Sequence, residues 1–184
     1  MVDSALIARA WSDDYMPSPE RFDDIVTAAT AHRPWFNDYA WDNDLLKRTI
    51  VIRYLAEAFA NGRVWEVWRN DALVGILLVD RVNYGSDAYL HAIFFDRQLA
   101  GKRRIVLSAM QWAFEAFHLE ALRSEAPAFM HILAKWMQRQ LGFRFETPDG
   151  QGIAAKRRAY LWKGKWHDAL LLSVTKDEFA SLES

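Results

Sequence analysis

The chain has no cysteine. Disulfides, thiolate nucleophiles and cysteine-ligated zinc are therefore excluded. It has almost no net charge: 23 lysines and arginines face 24 aspartates and glutamates, a formal balance of −1. A general nucleic-acid binder needs a basic excess, so no nucleic-acid partner is expected. No apolar run reaches the length that crosses a bilayer, and Met1-Val2-Asp3-Ser4 lacks the basic-then-apolar order of a secretion signal. No membrane partner is expected, and the cytoplasm is the default location. The five histidines do not pair at ligand spacing, so no metal is expected. No nucleophile-elbow sequence occurs. Repeats, low-complexity tracts and interdomain linkers are also missing, and a length of 184 residues suits one domain over 1–184.

What remains is a globular composition, 52% hydrophobic and 26% charged. Nine tryptophans are many for this length. They serve either as large rings filling a core or as a ring-lined substrate or partner surface.

Hydrophobic spacing predicts an ordered series of elements. Residues 4–11 read as a first strand, and Pro19 opens a helix through Ala31. Residues 32–41 are aromatic and irregular. Asp42, Asn43 and Asp44 offer caps for a longer helix with Leu45, Ile52, Ala56 and Phe59 as its stripe, ended by Asn61-Gly62. Arg63–Arg69 and Leu73–Val82 form two strands joined at Asn70-Asp71, with Val64, Glu66 and Trp68 alternating against Trp65 and Val67. Leu119–Ala126 is a strand stopped by Pro127, and a helix runs over Phe129–Leu141. A loop covers Thr147–Gly152, and a hairpin closes around Lys163-Gly164-Lys165. Lys156-Arg157-Arg158 reads as a solvated hairpin edge. Thr175-Lys176-Asp177-Glu178 reads as a capping box before a short last helix.

The organising stretch is Ala88 to Arg104. Its first half is a continuous apolar run, the pattern of a strand buried on both faces. A glycine-containing turn follows, then a helix with Val106, Met110, Ala113 and Phe117 on one side. Lys102, Arg103 and Arg104 crowd the first turn of that helix, where the dipole favours acids. Either an anion such as phosphate sits there, or the turn is simply solvated.

This stretch resembles the cofactor motif of the GNAT superfamily of acyl-CoA-dependent N-acetyltransferases, (Arg/Gln)-x-x-Gly-x-(Gly/Ala). Here it reads Gln98-Leu99-Ala100-Gly101-Lys102-Arg103, with Arg103 in place of the small residue. A second block agrees: Pro127, then a helix ending Leu141-Gly142-Phe143, with His131 where the family has an asparagine and Gln138 where many members carry an acid-catalyst tyrosine. A third block, Lys156 to Glu178, resembles the last hairpin of the subgroup that modifies ribosomal-protein N-termini. The resemblance implies an α/β fold, a mixed, mostly antiparallel sheet of about six or seven strands flanked by helices. It implies acetyl-CoA as co-substrate and an amine acceptor, either a protein N-terminus or a small amine such as an amino sugar or a metabolite, and the last hairpin leans toward a protein or peptide amine. A homodimer is left open. The backbone N–H groups of Ile93, Phe94 and Phe95 are expected at the thioester carbonyl. Gln98, Leu99, Ala100, Gly101, Lys102, Arg103, Arg104 and His131 are expected around the rest of the cofactor.

His91 lies inside the apolar strand. It reads as a satisfied core histidine or as the base that takes the proton of the incoming amine. Asp87 and Glu125 are the other base candidates. A scaffold that binds acyl-CoA or a protein partner without catalysis is the alternative, and the departures at Arg103, His131 and Gln138 favour it.

Overall fold

The computed structural model of the protein describes residues 7–10, 17–31, 37–61, 63–95, 102–147 and 155–182. These fall into two compact units, Met1–Arg81 with His91–Val106, and Val82–Leu90 with Leu107–Ser184.

In the first unit β1 (Ile7–Ala10) pairs antiparallel with β2 (Arg63–Arg69), and β2 with β3 (Ala72–Asn83). The next strand in sheet order is β4 (Asp87–Phe94). The Asn70-Asp71 turn forms without a glycine because both residues take left-handed φ, 48° and 60°. That geometry matches the twist of the flanking strands.

Helix α1 (Pro19–Thr30) starts as the sequence predicts: the Ser18 hydroxyl accepts from the Arg21 N–H at 3.2 Å, and Pro19 sits in the first turn. Part of the segment read as irregular is a single turn, α2 (Asp38–Trp41). In α3 (Asp44–Asn61) the predicted stripe is not the buried one. Leu45 is 77% exposed, and Ile52 and Ala56 are exposed too, whereas Val51, Leu55 and Ala58 enter the core beside Ile25, Val26 and Ala29 of α1. The side chain of Phe59 lies outside the described residues. Both rows have helical spacing, so periodicity alone did not choose between them.

Strand β2 also departs from alternation, since Val64 through Val67 are all buried, Glu66 included. The Glu66 carboxylate accepts from Trp68 Nε1 at 2.9 Å and lies 3.7 Å from Arg21 Nε. The Arg21 guanidinium in turn stands 3.6 Å from the Trp68 ring centre. A carboxylate this deep needs partners of this kind.

Gly75 of β3 has a steric reason. A Cβ there would lie 2.7 Å from the Ile93 carbonyl oxygen and 2.9 Å from the Phe94 ring. Only hydrogen fits so close to the backbone of β4. Alongside, the Phe95 N–H donates to the Val74 carbonyl at 2.8 Å.

In the second unit β4 pairs in parallel with β5 (Ala121–Pro127) over Asp87–Tyr89. Strand β5 pairs antiparallel with β8 (Lys165–Thr175), which also takes β6 (Arg144–Phe145) and β7 (Ala155–Trp162). The two-residue β6 is the strand that sequence reading missed. A parallel pair needs a crossover, and α4 (Lys102–Ala116) lies in that connection. Val106, Met110, Ala113 and Phe117 are buried, as their spacing predicts. Helix α5 (His131–Leu141) begins after a short 3-10 turn at Ala128–Met130 and ends at Gly142, φ 74°, with Phe143 buried behind it. The Lys163-Gly164 turn takes left-handed φ at both residues, and the Thr175–Glu178 capping box opens α6 (Lys176–Ala180).

Strand β4 is less covered than its composition suggests. Ala88 and Leu90 are fully buried, but Tyr89 and His91 to Phe94 keep partial exposure. An apolar run marks a covered strand without showing that both faces are closed.

Candidate active site

His91 of β4 meets the two consecutive residues Asp80 and Arg81 of β3. Its Nε2 lies 3.1 Å from Asp80 Oδ1 and 3.4 Å from a terminal Arg81 nitrogen. Tyr54 of α3 packs edge-on against the imidazole, with ring centres 5.9 Å apart. Neighbours on a regular strand face opposite ways. Asp80 and Arg81 reach one side chain because Arg81 leaves the strand conformation, with φ of 49°. A non-glycine residue held there carries strain of about 1 kcal/mol or more.

The protonation pattern follows from donors and acceptors. An ionised carboxylate only accepts, so the Nε2 facing it carries the hydrogen. Nδ1 is then the basic nitrogen of the neutral ring. Arg81 also only donates, so its approach to Nε2 brings charge and not a hydrogen bond. Asp80 is buried. Burial alone would push its carboxyl up. The His91 hydrogen bond and charge, with the Arg81 guanidinium, outweigh burial and hold it below the ordinary 3.8.

Ile93, Phe94 and Phe95 continue β4 and its end. Phe95 spends its N–H on Val74, so that group is not open to a substrate carbonyl. Strand N–H groups alternate sides, which turns the Phe94 N–H away from β3. The α4 start carries three bases and no acid in its first turn. Lys102 is only 2% exposed and lays its ammonium 4.5 Å from the Phe94 ring centre, while Arg103 and Arg104 are exposed. A turn of that charge at a helix N-terminus suits a diphosphate. Gln98, Leu99, Ala100 and Gly101 lie outside the described residues.

The remaining candidates belong to the second unit. Asp87 accepts from Arg123 Nε at 2.7 Å, and Arg123 also donates to Glu146 at 3.0 Å. Burial would lower the Arg123 pKa, but Glu146 and Asp87 outweigh it and raise it. The carboxylate beside His91 is therefore Asp80, whereas Asp87 is tied to a guanidinium. Glu125 is half-buried on β5 opposite Leu171 of β8, and His131 is exposed at the start of α5. Among the described residues no three His, Asp or Glu side chains are grouped to hold a metal. No described helix is long and apolar enough to cross a membrane.

Sequence reading missed Asp80, Arg81 and Tyr54. A signal was present for the first two: Asp80-Arg81 breaks an apolar run from Leu73 to Val79, and Asp80 and His91 stand at nearly equal distances either side of Gly85. Counting outward from a hairpin turn brings such residues close.

No protein-family model and no curated protein matches the chain. Solved structures do. A dodecameric spermidine N-acetyltransferase from Vibrio cholerae superposes with a TM-score of 0.70 over 99% of this chain and 100% of its own, at 13% identity. The fold is that of the GNAT acetyltransferases. The manganese complex of the spermidine/spermine enzyme from the same organism gives 0.67 at 14% identity, covering 98% of both chains. A protein described as a putative acetyltransferase gives 0.66 at 13%, covering 97% of this chain and 87% of its own. The mixed, mostly antiparallel sheet that the resemblance implies is present, with eight strands among the described residues where about six or seven were expected. The two Vibrio cholerae neighbours are named for polyamine acetylation, and none of the three lends support to the ribosomal-protein subgroup that the last hairpin resembles.

Proposed function

We propose that this protein, as a single transferase domain, moves an acetyl group from acetyl-CoA to the primary amine of a small molecule. The observation that carries the reading is the His91–Asp80 pair on the two central strands of an acetyltransferase fold. Acetyl-CoA supplies an activated thioester carbon.

His91 Nδ1 takes the proton of the amine as its nitrogen bonds to that carbon. Asp80 fixes the tautomer and faces the imidazolium that results. The Phe94 N–H is the donor on β4 turned to receive the carbonyl oxygen as charge develops on it. The carbon–sulfur bond breaks with its electron pair on sulfur. Gln138 has no acidic hydrogen to give, so the thiolate leaves unassisted or takes a proton from water. Arg103 and Arg104, at the start of α4, hold the diphosphate. With no cysteine in the chain, direct attack is favoured over a thioester acyl-enzyme. The paired base favours catalysis over a binding-only module.

The test is release of free CoA thiol from acetyl-CoA across a panel of amines. Turnover is expected, and His91→Gln is expected to lower it by about a hundredfold or more, with acetyl-CoA affinity unchanged by calorimetry. A protein that binds acetyl-CoA but releases no thiol with any amine would leave only the binding module.

A further inference from the structure

We propose that the acceptor is an amine bearing a carboxylate on the same molecule, an amino-acid-type substrate, and that Arg81 selects it. This rests on the reading of acetyl transfer at His91 given above.

Two observations carry it independently. Arg81 places a terminal guanidinium nitrogen 3.4 Å from the imidazole of the proposed base, and 47% of its side chain stays open to solvent. Arg81 also holds a φ of 49° that glycine would adopt without strain. Strain kept by a large charged residue beside a reactive group points to a use for that charge.

The charge sum then sorts the acceptors. Asp80 is one negative charge, buried and faced by both His91 and Arg81. Arg81 is one positive charge, and His91 is neutral when ready to accept a proton. Taking the amine's proton adds one positive charge to His91, beside Arg81. A polyamine keeps ammonium groups on its other nitrogens, and each is repelled by Arg81 and by the imidazolium as it forms. A carboxylate meets the planar guanidinium fork with matched geometry and opposite charge. It also offsets the positive charge that develops on His91. The spermidine named for the structural neighbours lacks that group.

The experiment compares glycine and β-alanine with their methyl esters and with ethylenediamine and trimethylenediamine, using the full chain. The free acids are expected to exceed both the esters and the diamines in kcat/KM by at least about tenfold, the size of one charge-assisted contact. Arg81→Gly should lose that preference through a raised KM for the acids, and Arg81→Lys should recover part of it. Glycine suits the left-handed φ, so the fold is retained, which circular dichroism checks. Esters or diamines acetylated as well as the acids by the parent would overturn the proposal, whatever the variants do. So would an Arg81→Gly variant that folds and keeps the preference. Absence of turnover with every amine would instead overturn the acetyl-transfer reading, and this one with it.

Discussion

Each unit holds a charged cluster built on a strand aspartate, and the two differ in the cation that answers it. Asp80 faces an imidazole at 3.1 Å, with Arg81 behind it. Asp87 faces the guanidinium of Arg123 at 2.7 Å, shared with Glu146. A guanidinium stays charged throughout the working pH range, so the second cluster is a fixed ion pair with no proton to move. An imidazole can either carry or accept a proton, so the first can take part in acid–base chemistry. The same carboxylate thus faces a permanent cation in one place and a ring that can hold or release a proton in the other, and the partner decides what each cluster can do.

Exchanging each aspartate for its amide would test that contrast most severely. Asp80→Asn is expected to lower turnover by about ten- to a hundredfold, because the amide no longer fixes the ring tautomer. Asp87→Asn is expected to change it by less than about threefold, as for a partly exposed ion pair whose cation moves no proton. The Asp80 variant has a second signature, in acid. Burial acts to raise its carboxyl, but His91 and Arg81 win and depress it. Its contribution to stability is therefore fully present above the unfolded value of 3.8 and is lost as pH falls through the lower folded value. Urea unfolding of parent and Asp80→Asn should differ at about pH 6, and the gap should narrow as pH falls below 3.8. A gap that persists in acid would show that the carboxylate charge is not what stabilises.

Two glycines sharpen the comparison at smaller scale. Gly75→Ala drives a methyl group to 2.7 Å from the Ile93 carbonyl oxygen, with an expected loss of about 1–3 kcal/mol and a lower turnover as β4 shifts. Gly164→Ala in the second unit meets nothing within 4 Å and should cost only the strain of a left-handed φ, about 1 kcal/mol, with turnover unchanged. Chemical denaturation and thiol-release rates on both variants check the pair. The smallest effect is expected from Arg123→Ala. It strands Asp87 and Glu146 without their cation, but all three are partly exposed, so solvent screening limits the loss to about 1 kcal/mol or less. A much larger loss in urea unfolding would mean that the second cluster supports far more of its unit than an ion pair does.

Elements with strong local signals were legible in the sequence. The Thr175–Glu178 capping box, the Gly142-Phe143 stop and the face of α4 depend on neighbours a few residues away, and each forms as predicted. The face of α3 did not follow, because two apolar rows compete and only packing beside Ile25 and Ala29 chooses between them. The two-residue β6 escaped because its strand character comes from pairing with β8 and not from its own residues.

The candidate site divides the same way. The sequence alone determined that no thiol chemistry is available, that His91 lies in an apolar strand and that a basic turn opens α4. Residue identity and spacing suffice for those. Only the tertiary structure decided that the carboxylate beside His91 is Asp80, that Asp87 is committed to Arg123 and that Arg81 turns back toward the imidazole. A carboxylate–imidazole pair depends on distances of about 3 Å between strands. Those distances come from the β3–β4 hairpin and from the left-handed turn of one arginine, which periodicity does not encode.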